Sequence, residues 1–170
     1  GETVLTRWMF AIALISLVLA GPMTAKDAKN KGFTGKWSLD KGASHGSDPL
    51  PDLHQDIKED GAGIVIQNRF PEPANGIAPL VYLGIMTTAL KLNTDGQETS
   101  NQIGPYIHVS KTTVDGNTMT TEWHSSINGD PVQGKWVRTL SDDGKRTTLE
   151  ITETSTHGQK GDATLVLRRK

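Results

Sequence analysis

Thr112-Thr113-Val114-Asp115-Gly116-Asn117-Thr118-Met119-Thr120-Thr121-Glu122-Trp123 sets the pattern by which the rest of the chain is read. Asp115-Gly116 stands between two threonine-rich runs, and beyond it Met119, Thr121 and Trp123 alternate with Thr120, Glu122 and His124. A period of two puts the first set on one face of a strand and the second on the other. Asp or Asn followed by Gly accepts φ > 0 at both centres of a type I′ turn, whose twist matches that of two antiparallel strands. The same signal recurs at Asp60-Gly61, Asn75-Gly76, Asp95-Gly96, Asn128-Gly129 and Asp143-Gly144, at intervals of 13 to 20 residues. Serial hairpins follow, and with them an antiparallel, all-β domain.

Working outward, alternation predicts strands over 35–40, 53–58 and 64–70, the last two forming a hairpin around Asp60-Gly61. Leu53, Ile57, Ile64, Ile66 and Phe70 share its inner face. Residues 44–52 and 71–79 carry prolines and read as loops. Residues 80–92 read as a long extended segment in which Leu80, Tyr82, Met86, Leu90 and Leu92 fall together. Further strands are expected over 106–113, 118–125, 134–140, 146–154 and 163–169, with the threonines 112, 113, 118, 120, 121, 147, 148, 152 and 154 on solvated outer faces. Eight to ten antiparallel strands in sequence order leave two unpaired edges unless the sheet closes, so an up-and-down β-barrel is expected. A two-sheet sandwich satisfies the same turn signals.

Ahead of this domain, Arg7 precedes thirteen uncharged residues, 8–20, which Gly21 and Pro22 end. A positive flank, a short apolar run and small residues describe a signal-peptide helix. The expected organisation is a signal peptide over 1–25, a flexible arm over 26–32 and the barrel over 33–170. Export to the periplasm or the cell exterior follows, with no membrane association after cleavage; a retained anchor is the alternative reading of the same segment. The chain has no cysteine, which excludes disulfides, thiol catalysis and Cys-ligated zinc. Its 18 basic and 19 acidic residues nearly balance, leaving no basic stripe for nucleic acid.

Phe33-Thr34-Gly35-Lys36-Trp37-Ser38-Leu39-Asp40 begins the domain, and Leu140-Ser141-Asp142-Asp143-Gly144-Lys145 and Leu165-Val166-Leu167-Arg168 end it. These two ends resemble small exported lipocalin-like proteins of bacteria, barrels of the calycin type with a Gly-x-Trp first strand. The resemblance implies that Trp37 lies at the barrel floor, with Arg168 or Arg169 packed over its indole as a structural closure.

Candidate chemistry is sparse. The five histidines (45, 54, 108, 124 and 157) lack the spacing of a metal site, and no cofactor motif is present. Glu122 and His124 share a strand face and are within reach of acid–base work, but an inward Trp123 leaves them outside. Asp142-Asp143-Gly144 offers too few oxygens for calcium and reads as a turn. Three functions stay open. The first is a non-catalytic exported barrel binding a small apolar or amphipathic molecule, lined by Phe70, Leu80, Tyr82, Met86 and Trp123. The second is a structural or protein-interaction module with a filled core. The third, an enzyme such as an isomerase, lacks a visible constellation. A continuous pocket of a few hundred cubic ångströms marks the first reading.

Overall fold

A computed structural model describes residues 30, 32–47, 49–50, 52–70, 89–155, 157–158 and 160–170. The leader helix expected over 1–25 and the loop and extended segment expected over 71–88 lie outside the described residues. The strands are β1 (Gly35–Leu39), β2 (His45–Gly46), β3 (His54–Asp60), β4 (Gly63–Arg69), β5 (Ala89–Asn93), β6 (Asp95–Ile103), β7 (Tyr106–Asp115), β8 (Thr118–Ile127), β9 (Asp130–Leu140), β10 (Arg146–Ser155) and β11 (Lys160–Arg169). They pair antiparallel in the order β5-β4-β3-β1-β11-β10-β9-β8-β7-β6, with the short β2 beside β11. Read as a circle, each long strand lies next to its neighbours in sequence, and β1 pairs with β11. This is an up-and-down barrel of ten strands, nearly closed.

The remaining gap lies between β5 and β6, where no backbone ladder joins the two strands. Side chains of β6 bridge it. The Lys91 amide donates to Asn101 Oδ1 at 2.8 Å and Asn101 Nδ2 donates back to the Lys91 carbonyl at 2.8 Å. The Asn93 amide donates to Thr99 Oγ1 at 2.9 Å. Edge groups that would otherwise be open are thereby partly satisfied. Alternation did not reveal β6, because Gly96-Gln97-Glu98-Thr99-Ser100-Asn101-Gln102 has no apolar residue to carry it. Its first residues also form a register shift between Asp95 and Glu98, so Asp95-Gly96 is a bulged strand start.

The other turns depart from the I′ expectation in an informative way. Among the described residues only Asn128-Gly129 has positive φ at both centres, 54° and 89°. In the β7–β8 hairpin Asp115 pairs with Thr118, so the central residues are Gly116 and Asn117. Gly116 has φ 56° and Asn117 is not left-handed, the sign pattern of a II′ turn. Asp60 paired with Gly63 repeats that frame. In these two hairpins the dipeptide gave the location but placed the frame one residue early.

At the floor, Trp37 is 1% exposed and its Nε1 donates to the Phe33 carbonyl at 3.0 Å. Arg169 covers it, with the guanidinium carbon 4.3 Å from the ring centroid. The same guanidinium donates to the carbonyls of Thr34 (2.6 Å), Gly32 (2.7 Å) and Gly144 (2.8 Å). Arg168 points the other way, to the carboxylate of Asp40 at 2.6 Å on the surface. Successive strand residues face opposite sides, so only one of the two arginines can reach the indole. Above the floor the core packs Leu53, Ile57, Ile64, Leu92, Leu165 and Leu167.

Three threonines expected outside are inside. Thr112, Thr121 and Thr147 are 1 to 2% exposed, and the Thr112 and Thr121 hydroxyls bond to each other at 2.8 Å. Their parity matches that of Val114, Trp123 and Leu149, which are also buried.

Trp37→Ala is expected to cost about 3 to 5 kcal/mol, the usual loss for a large buried aromatic. Thermal melts of variant and wild type check this. An unchanged melting temperature removes the Trp37–Arg169 floor as a determinant of the fold.

Candidate functional site

The barrel wall turns several polar side chains inward at two levels. At the lower level β9 presents Arg138, which stands in register between Met119 of β8 and Leu149 of β10. Arg138 is 4% exposed. Its Nη2 donates to Gln55 Oε1 at 2.8 Å, and Gln55 Nε2 donates in turn to Asn68 Oδ1 at 2.9 Å. Arg138 Nη1 has no hydrogen-bond partner, and no carboxylate among the described residues pairs with the guanidinium. Burial alone pulls its pKa down to about 10, so it stays charged at neutral pH. Beside it lies a cavity of about 30 Å³, whose wall includes Ile66, Leu90, Leu92, Met119 and Trp136. That space holds about one water molecule.

At the upper level His108 of β7 is 1% exposed and packs against two indoles, which also touch each other at a centroid distance of 5.7 Å. Its ring centroid is 4.8 Å from that of Trp123 and 5.3 Å from that of Trp136, with interplanar angles of 26° and 17°. Trp136 Nε1 donates to Glu153 Oε1 at 3.4 Å. Glu153 Oε2, both His108 ring nitrogens and Trp123 Nε1 have no partner. An unsatisfied buried polar group costs about 1 to 3 kcal/mol, so this level stores a real penalty. Desolvation pushes the Glu153 carboxyl up to about 8, against a smaller opposite effect of the Trp136 hydrogen bond. Desolvation also pulls His108 down to about 4. Both groups are therefore neutral near pH 7.

Of the residues expected to line a ligand, Trp123 is buried in this upper level and Phe70 packs partly buried against the core. Leu80, Tyr82 and Met86 lie outside the described residues. Trp37 and Arg169 meet at the floor, where Trp37 pairs across the β1–β3 ladder with Gln55 of the lower level, and Arg168 takes no part. Glu122 and His124 are exposed on the outer face of β8, as an inward Trp123 requires. The described residues hold no cluster of three His, Asp or Glu suited to a metal ion. Sequence reasoning missed Gln55, Asn68, His108, Arg138 and Glu153. A readable signal existed for two of them. Arg138 shares parity with Trp136, and Glu153 shares parity with Leu149 and Ile151, so each is a charge on the inward face of a strand.

No protein-family model matches the chain, and no curated protein does. Solved structures do. A secretory abundant heat soluble (SAHS) protein of Ramazzottius varieornatus superposes with a TM-score of 0.52 at 13% identity, over 82% of this chain and 96% of the other. The zebrafish ileal bile acid-binding protein, solved with cholic acid, gives 0.48 at 15% identity over 82% and 99%. SAHS protein 4 of Ramazzottius varieornatus gives 0.46 at 19% identity over 82% and 96%. The first likeness is one of fold, that of an antiparallel β-barrel, and at 13% identity it extends no further.

The two buried groups make stability depend on pH with opposite signs. Glu153 titrates near 4.5 when unfolded and about 8 when folded, so its contribution is full below 4.5 and lost as pH rises to about 8. His108 titrates near 6.5 unfolded and about 4 folded, so its contribution is full above 6.5 and lost as pH falls to about 4. Between pH 4.5 and 6.5 the two slopes cancel; between 6.5 and 8 only the Glu153 loss remains, at up to about 1.4 kcal/mol per pH unit. Glu153→Gln should remove that loss and expose the His108 rise between 4.5 and 6.5. Urea unfolding across this pH range measures both, and identical profiles for variant and wild type would contradict the assignment.

Proposed function

We propose that this chain is an exported, non-catalytic barrel that holds a small amphipathic anion within the sheet, with its anionic group on Arg138. The observation that carries this reading is a buried guanidinium with a free Nη1 and no counter-charge among the described residues. A cation taken out of water without an anion is costly, and a carboxylate answers it with two acceptors in the geometry of the fork. Ile66, Leu90, Leu92 and Met119 around the cavity suit an apolar tail. The present space of about 30 Å³ admits a head group only, so the tail must displace side chains. Met119 is suited to this, since an unbranched thioether repacks easily. Export rests on the sequence of residues 1–25 alone.

A second reading, a structural or interaction module with a filled core, is favoured by the same small volume, far below the few hundred cubic ångströms of an ordinary ligand pocket. Isothermal titration with decanoate and decanol separates the two. An anion-binding barrel takes up decanoate in preference to decanol, and Arg138→Met abolishes the uptake. Arg138→Met should melt at or above the wild-type temperature, because an apolar chain replaces an unpaired buried charge. Absence of decanoate binding would leave the filled barrel as the account of this protein.

A further inference from the structure

Four unpartnered polar atoms sit on three neighbouring side chains at the upper level of the barrel, and the lower-level Arg138 site does not use them. Trp123 Nε1, His108 Nδ1, His108 Nε2 and Glu153 Oε2 come from three side chains that are each 1 to 3% exposed. Their juxtaposition follows from Gly134. This residue of β9 pairs with Trp123 on one side and Glu153 on the other. A Cβ on Gly134 would stand 2.8 Å from Trp123 Nε1, so the indole N–H lies across the glycine between the two neighbouring strands. His108 stacks on the same indole at 4.8 Å, and Trp136, in contact with both rings, ties Glu153 to the cluster.

Hydrogen-bonding capacity limits what this cluster can take. An indole N–H only donates, while a neutral imidazole offers one donor and one acceptor. A partner that answers both the Trp123 N–H and the acceptor nitrogen of the imidazole must therefore accept and donate. An ammonium cannot accept, and a carboxylate cannot donate. A hydroxyl does both through one atom. We infer that His108, Trp123 and Glu153 form a second polar subsite for an uncharged hydroxyl, carried on the same amphipathic anion whose carboxylate sits at Arg138. The inference rests on the anion reading above and narrows the ligand class to hydroxylated carboxylates. The spacing is suitable, since Gly134 and Arg138 are four residues apart on one strand, about 13 Å. An extended decanoate is of comparable length. Trp136 lies between the two levels and belongs to both, lining the Arg138 cavity and bonding to Glu153.

The test is titration of the whole protein with decanoate and ω-hydroxydecanoate at neutral pH, for wild type, Trp123→Phe, His108→Phe and Arg138→Met. The expected result is that wild type binds the hydroxy acid about tenfold more tightly than decanoate, the worth of one or two well-made hydrogen bonds. That ratio should fall to about one in Trp123→Phe and His108→Phe, both of which keep an aromatic ring in the stack. Arg138→Met should lose both ligands. Decanoate binding with no preference for the hydroxy acid would overturn the second subsite, leave the cluster to buried water and leave the Arg138 reading standing. A preference that survives in both Phe variants would also overturn it, since the hydroxyl then sits elsewhere. Binding of neither acid would overturn the Arg138 reading and this one with it.

Discussion

The Arg169 guanidinium is the contact on which the rest of the barrel depends. It stacks on Trp37 from the last strand and donates to carbonyls at Gly32, Thr34 and Gly144. One side chain thus joins the stretch before β1, the β9–β10 turn and the end of β11. Closure between β1 and β11 makes neighbours of the two ends of the chain, which are far apart in sequence and costly to bring together. A planar cation that places several donors on fixed carbonyls while covering an indole meets that cost with directional contacts. Gly35 accommodates it, since a Cβ there would lie 2.7 Å from the Arg169 Nη1.

Above the floor, the barrel wall is built to a different rule. The core around Ile57, Ile64 and Leu165 is conventionally apolar, yet β7 to β10 turn His108, Arg138 and Glu153 into it. Natural sequences seldom leave such groups unpaired in a packed interior, because each forfeits hydration without a compensating bond. Arg138 finds Gln55 and leaves one nitrogen open, and Glu153 finds Trp136 at 3.4 Å and leaves one oxygen open. Core packing alone explains neither residue. Local inconsistency of this kind is where function is expected to lie, and here it lies across β7 to β10.

The β5–β6 gap shows how a barrel can be nearly closed and still have a seam. Asn101 offers its amide as a substitute peptide to Lys91, with one bond in each direction at 2.8 Å. Two such bonds hold less than a ladder does, and Leu90 and Leu92 of β5 also line the Arg138 cavity. The weakest line of the wall therefore runs beside the lower polar level.

By itself the sequence determined an all-β chain of serial antiparallel hairpins, and left its closure as a barrel to the pairing of β1 with β11. Asn-Gly and Asp-Gly located the hairpins because few other dipeptides accept left-handed backbone, and alternation of Leu149, Ile151, Leu165 and Leu167 against polar partners oriented the strands. It also placed Trp37 at the floor, through resemblance. The turn frame, the polar strand β6 and the choice of Arg169 over Arg168 were decided by pairing register, which a single strand's pattern does not carry. Tertiary structure alone brought Gln55 and Asn68 to Arg138, and set His108 against Trp123 and Trp136. These residues come from strands far apart in the chain, and only closure of the sheet turns them toward a common interior, where desolvation makes an ordinary Arg, His or Glu conspicuous.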